Sequence, residues 1–316
     1  MAETTLDGRR ILVTGGAGFI GSNFVHYLQD EYDNPEITVL DKLTYAGSKE
    51  NLEPHLEDIT FVKGDIADRS TVEEVLPGHD FVVNFAAESH VDRSIDSGDP
   101  FVHSNVDGAY TLMDVARQTG IEKFIQISTD EVYGSIEEGK AKEGDPLDPS
   151  SPYSASKAAA DMFANAMHTT YGFPVVIARP TNNYGPRQHP EKLIPKFITN
   201  ALNGEELPLY GDGSNVRDWL YVKDTCTALE LLLQKGENGD IYNIGGDNFR
   251  TNVEVTEKIL EATHKAEDLI SFVDDRKGHD YRYAVDSSKI RELGWESQMD
   301  FDKGLTETLD FYGGAD

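Results

Sequence analysis

A single cysteine, Cys226, stands in a chain of 316 residues. An intramolecular disulfide and any multi-cysteine metal site are thereby excluded, in keeping with a reducing compartment. No motif surrounds Cys226, so it reads as a small core residue and not as a nucleophile. Long apolar runs are also missing: hydrophobic residues make up 38% of the chain, and none of their clusters approaches the roughly 18 consecutive residues of a membrane-spanning helix. Met1 to Arg10 lacks the apolar segment of a signal peptide, which makes a soluble, cytoplasmic protein the expectation. Basic residues are scarce, with 28 Lys and Arg against 57 Asp and Glu and a net charge of −29. A field of that sign repels nucleic acid and anionic membranes, so neither is an expected partner. Two explanations of the acidity stand side by side. One is adaptation to molar salt, where a Debye length of roughly 3 Å screens self-repulsion; the other is an ordinary acidic protein. In both cases the few cations should gather where an anionic ligand binds. The histidines His26, His55 and His168 are scattered and show no spacing of a ligand set, so no metal site is expected.

What is present is an alternation. Short apolar runs at Ile11 to Thr14, Ile37 to Leu40, Thr60 to Val62, Phe81 to Asn84, Phe124 to Ser128 and Val175 to Ala178 read as buried parallel strands. Helical patterns near Ser22 to Asp30, Ser70 to Leu76, Phe101 to Gln118 and Tyr153 to Tyr171 lie between them. That rhythm predicts an α/β fold with a doubly wound parallel sheet, a Rossmann domain over 1–180. Beyond Arg179 the pattern breaks into Pro- and Gly-punctuated segments, which predicts a smaller, discontinuous C-terminal lobe over 181–216 and 246–316, with 217–245 returning to the first domain.

The first strand runs into Thr14-Gly15-Gly16-Ala17-Gly18-Phe19-Ile20-Gly21 and then a helix. Gly15, Gly18 and Gly21 have the spacing that lets backbone approach a pyrophosphate at a helix N-terminus. Glycines also serve ordinary turns, but here strand, turn, helix and a second strand ending in Asp41 follow in order. Asp41 lies 20 residues after Gly21, where a carboxylate binds a ribose 2′-hydroxyl and disfavours a 2′-phosphate, so NAD is expected over NADP. Asp65-Ile66 after the third strand could face the adenine, or Asp65 could cap its own turn. Ala86 and Ala87 after the fourth strand are small enough to admit a cofactor to the backbone, or are ordinary packing.

Tyr153 and Lys157 form Tyr-x-x-x-Lys at the start of a helix, which puts both on one face one turn apart. A cation beside a phenol, joined by a positive nicotinamide, lowers the phenol pKa and makes a base for a sugar hydroxyl. Together with Gly15 to Ser22, Asp41 to Gly47, Ala86 to Ser94, Thr129 to Gly134, Asn182 to Pro186, Pro190 to Pro195, Arg217 to Val222 and Asp275 to Asp280, this motif resembles the extended short-chain dehydrogenase/reductase family, within it the nucleotide-sugar 4,6-dehydratases.

The resemblance covers nearly the whole chain and implies an NAD-dependent lyase. It implies conversion of a dTDP-linked glucose, with the UDP-linked sugar as the alternative, to the 4-keto-6-deoxy product and water. The triplet Thr129-Asp130-Glu131 carries this choice, because eliminating water across C5 and C6 needs a base and an acid. A 4-epimerase or decarboxylase on the same scaffold needs no such pair, and an idle NAD-binding regulator would not need Thr129, Tyr153 and Lys157. In the implied roles Tyr153 takes the C4 hydroxyl proton, Thr129 binds the same oxygen, Glu131 takes the C5 proton and a protonated Asp130 serves the C6 oxygen. To the cofactor the resemblance adds Phe19, Ile20, Lys42, Thr44, Ser104 and Asn183. To the nucleotide sugar it assigns Asn182, Lys192, Leu193, Pro208, Leu209, Tyr210, Arg217, Asn252, Arg276 and His279. Ser89 and His90 either line the sugar pocket or cap and pack locally, and Tyr210 either stacks on a pyrimidine or is a half-buried core aromatic. The family also implies a homodimer through a four-helix bundle made by Phe101 to Gln118 and Tyr153 to Tyr171.

Overall fold

The computed structural model describes residues 6–314, so part of the Met1 to Arg10 segment, residues 1–5, lies outside it, as do residues 315 and 316. The first half alternates as its sequence predicts: β1 (Arg10–Thr14), α1 (Phe19–Glu31), β2 (Glu36–Asp41), β3 (Thr60–Lys63), α2 (Arg69–Val75), β4 (Phe81–Asn84), α3 (Val91–Asp96), α4 (Asp99–Phe101), α5 (Ala109–Thr119), β5 (Lys123–Ile127), α6 (Pro152–Tyr171) and β6 (Val175–Pro180). The second half adds β7 (Asn182–Tyr184), α7 (Leu193–Asn203), β8 (Leu207–Tyr210), β9 (Val216–Tyr221), α8 (Val222–Lys235), β10 (Ile241–Ile244), β11 (Phe249–Thr251), α9 (Asn252–Ala262), β12 (Ile270–Val273), α10 (Ser288–Glu292) and α11 (Phe301–Gly313).

Seven strands form one parallel sheet in the order β10-β6-β5-β4-β1-β2-β3. Both of its faces are covered, which is why the strands are continuously apolar and not alternating. One face packs Phe24, Val25 and Leu28 of α1 with Ala228, Leu229 and Leu232 of α8. The other packs Leu112 and Met113 of α5 with Ala160 and Ala164 of α6. The strand order reverses between β1 and β4, so their carboxyl ends part and leave a crevice, the usual ligand position of such sheets.

Helix α6 starts sharply because Ser151 and Ser154 cap it reciprocally and Pro152 fills the first turn, where no N–H is needed. The stretch between α4 and α5 departs from the expected uniform helix: Val102–Gly108 is a π-helical turn. Its wider winding turns buried Asn105 inward, where the amide accepts from Glu88 N (2.8 Å) and donates to Glu88 O (2.9 Å) and Ser156 Oγ (2.8 Å). Three hydrogen bonds to otherwise buried polar groups offset an irregular turn.

The C-terminal lobe holds a three-stranded sheet, β11-β9-β7, and a two-stranded one, β12-β8. Its core gathers Tyr184, Phe197, Trp219, Tyr221, Ile259 and Phe301. The segment 217–245 divides between the two parts, which corrects the reading that all of it returns to the first domain. β10 extends the parallel sheet beside β6 and α8 packs on α1, but β9 pairs with β7 and β11 in the lobe. The aromatic faces of Trp219 and Tyr221 find their partners there, against Tyr184.

Candidate active site

The crevice between β1 and β4 opens into a cleft of ≈ 220 Å³. Its floor is backbone. Gly15 has φ +68°, and a Cβ on it would lie 2.6 Å from Ala86 N; a Cβ on Gly21 would lie 2.5 Å from Gly15 O. No side chain caps α1 at Gly18, so the first-turn N–H groups of the helix, without intrahelical acceptors, face the crevice. An anionic pyrophosphate suits that donor set and that close approach. Asp41, at the end of β2, accepts from Ala17 N (2.9 Å) and Leu43 N (2.7 Å), while its burial pushes the carboxyl pKa up. Asp65 pairs with Lys42 (2.7 Å) and His103 (2.9 Å) and accepts from Ala67 N (2.9 Å). Burial opposes ionisation, yet these partners bring Asp65 down to about 2.

Phe19, Ile20, Thr44, Ile66, Ala86, Ala87, Ser104, Tyr153 and Lys157 line the same cleft with the glycines, Asp41, Lys42 and Asp65. Asn183 does not. It borders the adjoining cleft, because β7 leaves the main sheet for the lobe, and its amide is held by Thr181 O (2.9 Å) and Thr225 Oγ1 (2.6 Å).

The second cleft, of ≈ 440 Å³, lies between the lobe and the carboxyl ends of the sheet. Ser89, His90, Asn182, Lys192, Leu193, Pro208, Leu209, Tyr210, Arg217, Asn252, Arg276 and His279 all line it. Lys192 Nζ donates to Ser89 O (2.9 Å), and Arg217 is buried with its guanidinium on Asp280 O (3.0 Å) and over the Tyr283 ring (4.3 Å). Burial lowers the pKa of both cations, while Glu131 acts to raise it. Arg276 keeps a loose pair with Asp92 (3.7 Å), and His279 is held by Asp275 (2.6 Å). Three cations and a histidine thus converge in a chain poor in cations, as an anionic ligand requires.

Between the clefts stands the triplet that follows β5. Glu131 lines the second cleft and accepts a long bond from Tyr283 OH (3.4 Å), whereas Thr129 and Asp130 are buried and border neither cleft. Asp130 Oδ1 accepts from Thr129 Oγ1 (3.1 Å) and Oδ2 has no partner. Burial, then the charge of Glu131, pushes the Asp130 pKa well up; burial also raises Glu131, against the pull of Arg276, Arg217 and Lys192. Two carboxylates side by side, one of them buried, cannot both ionise freely.

Tyr153 departs from the expectation of a lowered pKa. Burial raises it, and the carboxylates Glu131 and Asp130 add to the rise, although Thr129 bonds the phenol. Lys157 Nζ donates to Ile127 O (2.6 Å), and burial lowers that amine to about 8. The physical reason is that low dielectric and the two carboxylates outweigh the Thr129 hydrogen bond, so the net shift from the chain alone is upward.

Sequence reasoning missed several neighbours. Ser128 and Tyr45 line the first cleft, Glu191 stands where the clefts meet, and Tyr283 touches Glu131. Asp161, fully buried behind the pair, was legible in principle, since Tyr153, Lys157 and Asp161 repeat every fourth residue on α6. Among the described residues no cluster of His, Cys, Asp and Glu could hold a metal ion, and no helix is long and apolar enough to cross a membrane.

A doubly wound α/β sheet that presents a backbone cradle at its switch point, beside a cation-lined cleft in a second lobe, defines a class of dinucleotide-dependent enzymes that act on an anionic partner. The chain belongs to the GDP-mannose 4,6 dehydratase family, whose model matches residues 12–308. It is 56% identical to the low-salt glycan biosynthesis protein Agl12 of Haloferax volcanii, over 97% of this chain and 99% of that one. It is 51% identical to a dTDP-glucose 4,6-dehydratase of Actinoplanes sp., over 96% and 97% of the two chains. Among solved structures, the dTDP-glucose 4,6-dehydratase DesIV of Streptomyces venezuelae, with NAD bound, superposes at a TM-score of 0.94 with 50% identity and 97% of each chain covered.

Proposed function

We propose that this chain is an NAD-dependent dTDP-glucose 4,6-dehydratase, forming dTDP-4-keto-6-deoxyglucose and water. The observation that carries the reading is the adjacent pair of carboxylates after β5: Asp130, buried with an unpartnered Oδ2, and Glu131, on the wall of the second cleft. Gly15, Gly18, Gly21 and Asp41 would hold NAD, which would supply an acceptor for the C4 hydride and the hydride for C6. Tyr153 takes the C4 hydroxyl proton while Thr129 hydrogen-bonds the same oxygen. The ketone so formed acidifies C5–H, Glu131 takes that proton, and Asp130 gives its own to the C6 oxygen, which leaves as water. Glu131 then protonates C5. An acid is needed because hydroxide is a poor leaving group, and a raised pKa keeps Asp130 protonated for that step. Its bare Oδ2 is the natural position of the proton.

Lys192, Arg217 and Arg276 are suited to the diphosphate, and Tyr210, 38% exposed at the cleft, to the face of the pyrimidine. The test is to incubate the protein with dTDP-glucose and with UDP-glucose and follow the alkali-induced absorbance and the mass loss of one water. Product from dTDP-glucose, and retained NAD binding without product in Glu131→Gln, are expected. Undiminished dehydration by that variant would reject the assigned base. Product from UDP-glucose alone would move the specificity to uracil.

Two further parts of the reading concern the whole molecule. A homodimer through α5 and α6 is supported by the exposed Val102, Tyr110, Met162 and Phe163 on those helices and the turn before them. Sedimentation of the parent as a dimer and of Met162→Glu as a monomer is the expected result. Adaptation to high salt is supported by the −29 charge, and highest stability in dilute buffer, in a melting series with rising KCl, would reject it.

A further inference from the structure

Lys157 occupies a place where a positive charge is costly. It is buried, and its ammonium has one hydrogen-bond acceptor in Ile127 O for three donors. The charged group that acts on it is Asp161 on its own helix α6, which Arg179 on β6 in turn holds, while Asp130 and Glu131 after β5 act on Tyr153 one turn before it. Asp130 and Glu131 act on the Tyr153 phenol, and the charge that acts to keep Lys157 protonated is Asp161. Asp161 is wholly buried, one helical turn beyond Lys157. Its Oδ2 accepts from both Ser128 Oγ (2.9 Å) and Arg179 Nε (2.9 Å), while Oδ1 is enclosed and has no hydrogen-bond partner.

The bracing is itself anchored. Arg179 donates to Tyr133 OH (2.6 Å), which donates to Asn243 Oδ1 (2.9 Å) on β10, so the guanidinium is fixed from its far side. The charges then have a simple logic. A lone pair of Lys157 and Asp161 would be neutral toward Tyr153, and a lone Lys157 in this site would shed its proton. Arg179, Asp161 and Lys157 together keep one net positive charge behind the phenol.

We propose that Asp161, held by Ser128 and Arg179, is a positioning residue for the reaction: the fixed counter-charge that keeps Lys157 protonated behind Tyr153. This rests on the reading of Tyr153 and Lys157 as the pair that serves the C4 hydroxyl. A buried carboxylate that merely stabilises the fold would leave the basic limb of kcat where it is.

The test reads the proton on Lys157 directly. In the cofactor-free protein, the extent of acylation of Lys157 by acetic anhydride is followed against pH by mass spectrometry. The parent should give a midpoint near 8. In Asp161→Asn, which keeps acceptors for Ser128 and Arg179, the midpoint should fall by about one pH unit, a tenfold change in the protonated fraction above it. In Arg179→Gln, where Asp161 loses its competing cation, it should rise. With the holoenzyme, the basic limb of kcat in Asp161→Asn should move the same way as the labelling midpoint. An unmoved midpoint in a folded Asp161→Asn overturns the proposal, and so does a fall in Arg179→Gln, which decides the matter if Asp161→Asn does not fold. The underlying reading fails separately, by undiminished product formation in Tyr153→Phe.

Discussion

The two clefts adjoin and share Ser89, Gln188, Glu191 and Lys192 in their walls, yet they are made of different material. The dinucleotide cleft is shaped by main chain: Gly15 and Gly21 leave room, α1 presents its N-terminus, and Asp41 is held by the loop it serves. The second cleft is shaped by side chains carried on segments distant in sequence, Lys192 before α7, Arg217 on β9 and Arg276 after β12. A backbone site is intolerant of added atoms, whereas a side-chain site is tuned by charge and loses affinity by degrees.

That contrast can be broken in order of expected effect. Gly21→Val places carbon where Gly15 O already stands, and forced overpacking of 1–3 kcal/mol corresponds to a loss of NAD affinity of about 100-fold. Fluorescence titration with NAD measures it, and affinity within threefold of the parent would mean that the backbone does not approach the cofactor closely. Arg276→Ala should raise KM for dTDP-glucose about tenfold while leaving NAD affinity unchanged, since a charge-assisted contact is worth about 1.5–3 kcal/mol and this side chain is partly solvated. Equal losses for both ligands would erase the distinction between the clefts.

The smallest effect lies at their junction. The folded-state pKa of Asp130 is raised, so the native protein holds a proton that the unfolded chain releases above about pH 4, and native stability falls as pH rises from there. Asp130→Asn has no such proton to lose. Its melting temperature should exceed that of the parent by about 2–4 °C at pH 8 and by less at pH 5, on the scale of one kcal/mol for a chain of this size. A constant difference across pH would show that Asp130 is ionised in the folded enzyme. Catalytic groups held in costly protonation states commonly trade stability for activity in this way.

The same contrast governs what could be read in advance. Apolar runs of β1 to β6 and the helical periods between them predicted the sheet, because a strand buried on both faces must be apolar throughout. The glycine spacing predicted the first cleft, because strand, turn and helix are neighbours in the chain. Quoted motifs named the lining of the second cleft, but from the residues themselves an arginine is an arginine. Nothing in the spacing from Lys192 to Arg217 to Arg276 says that they meet. Asn183 borders the second cleft because β7 begins two residues after β6 and pairs with β9 in the lobe.

Sequence by itself determined the α/β class, the switch-point cradle, the paired carboxylates after β5 and the scarcity of cations, all of which are local patterns or simple counts. Tertiary structure alone decided the protonation of the site. Burial raises Tyr153, Asp130 and Glu131 and lowers Lys157, against the simple rule that a neighbouring cation lowers a phenol. The physical reason is that desolvation depends on everything packed around a group, including Asp161 and Arg179, and a linear motif records only the residues beside it.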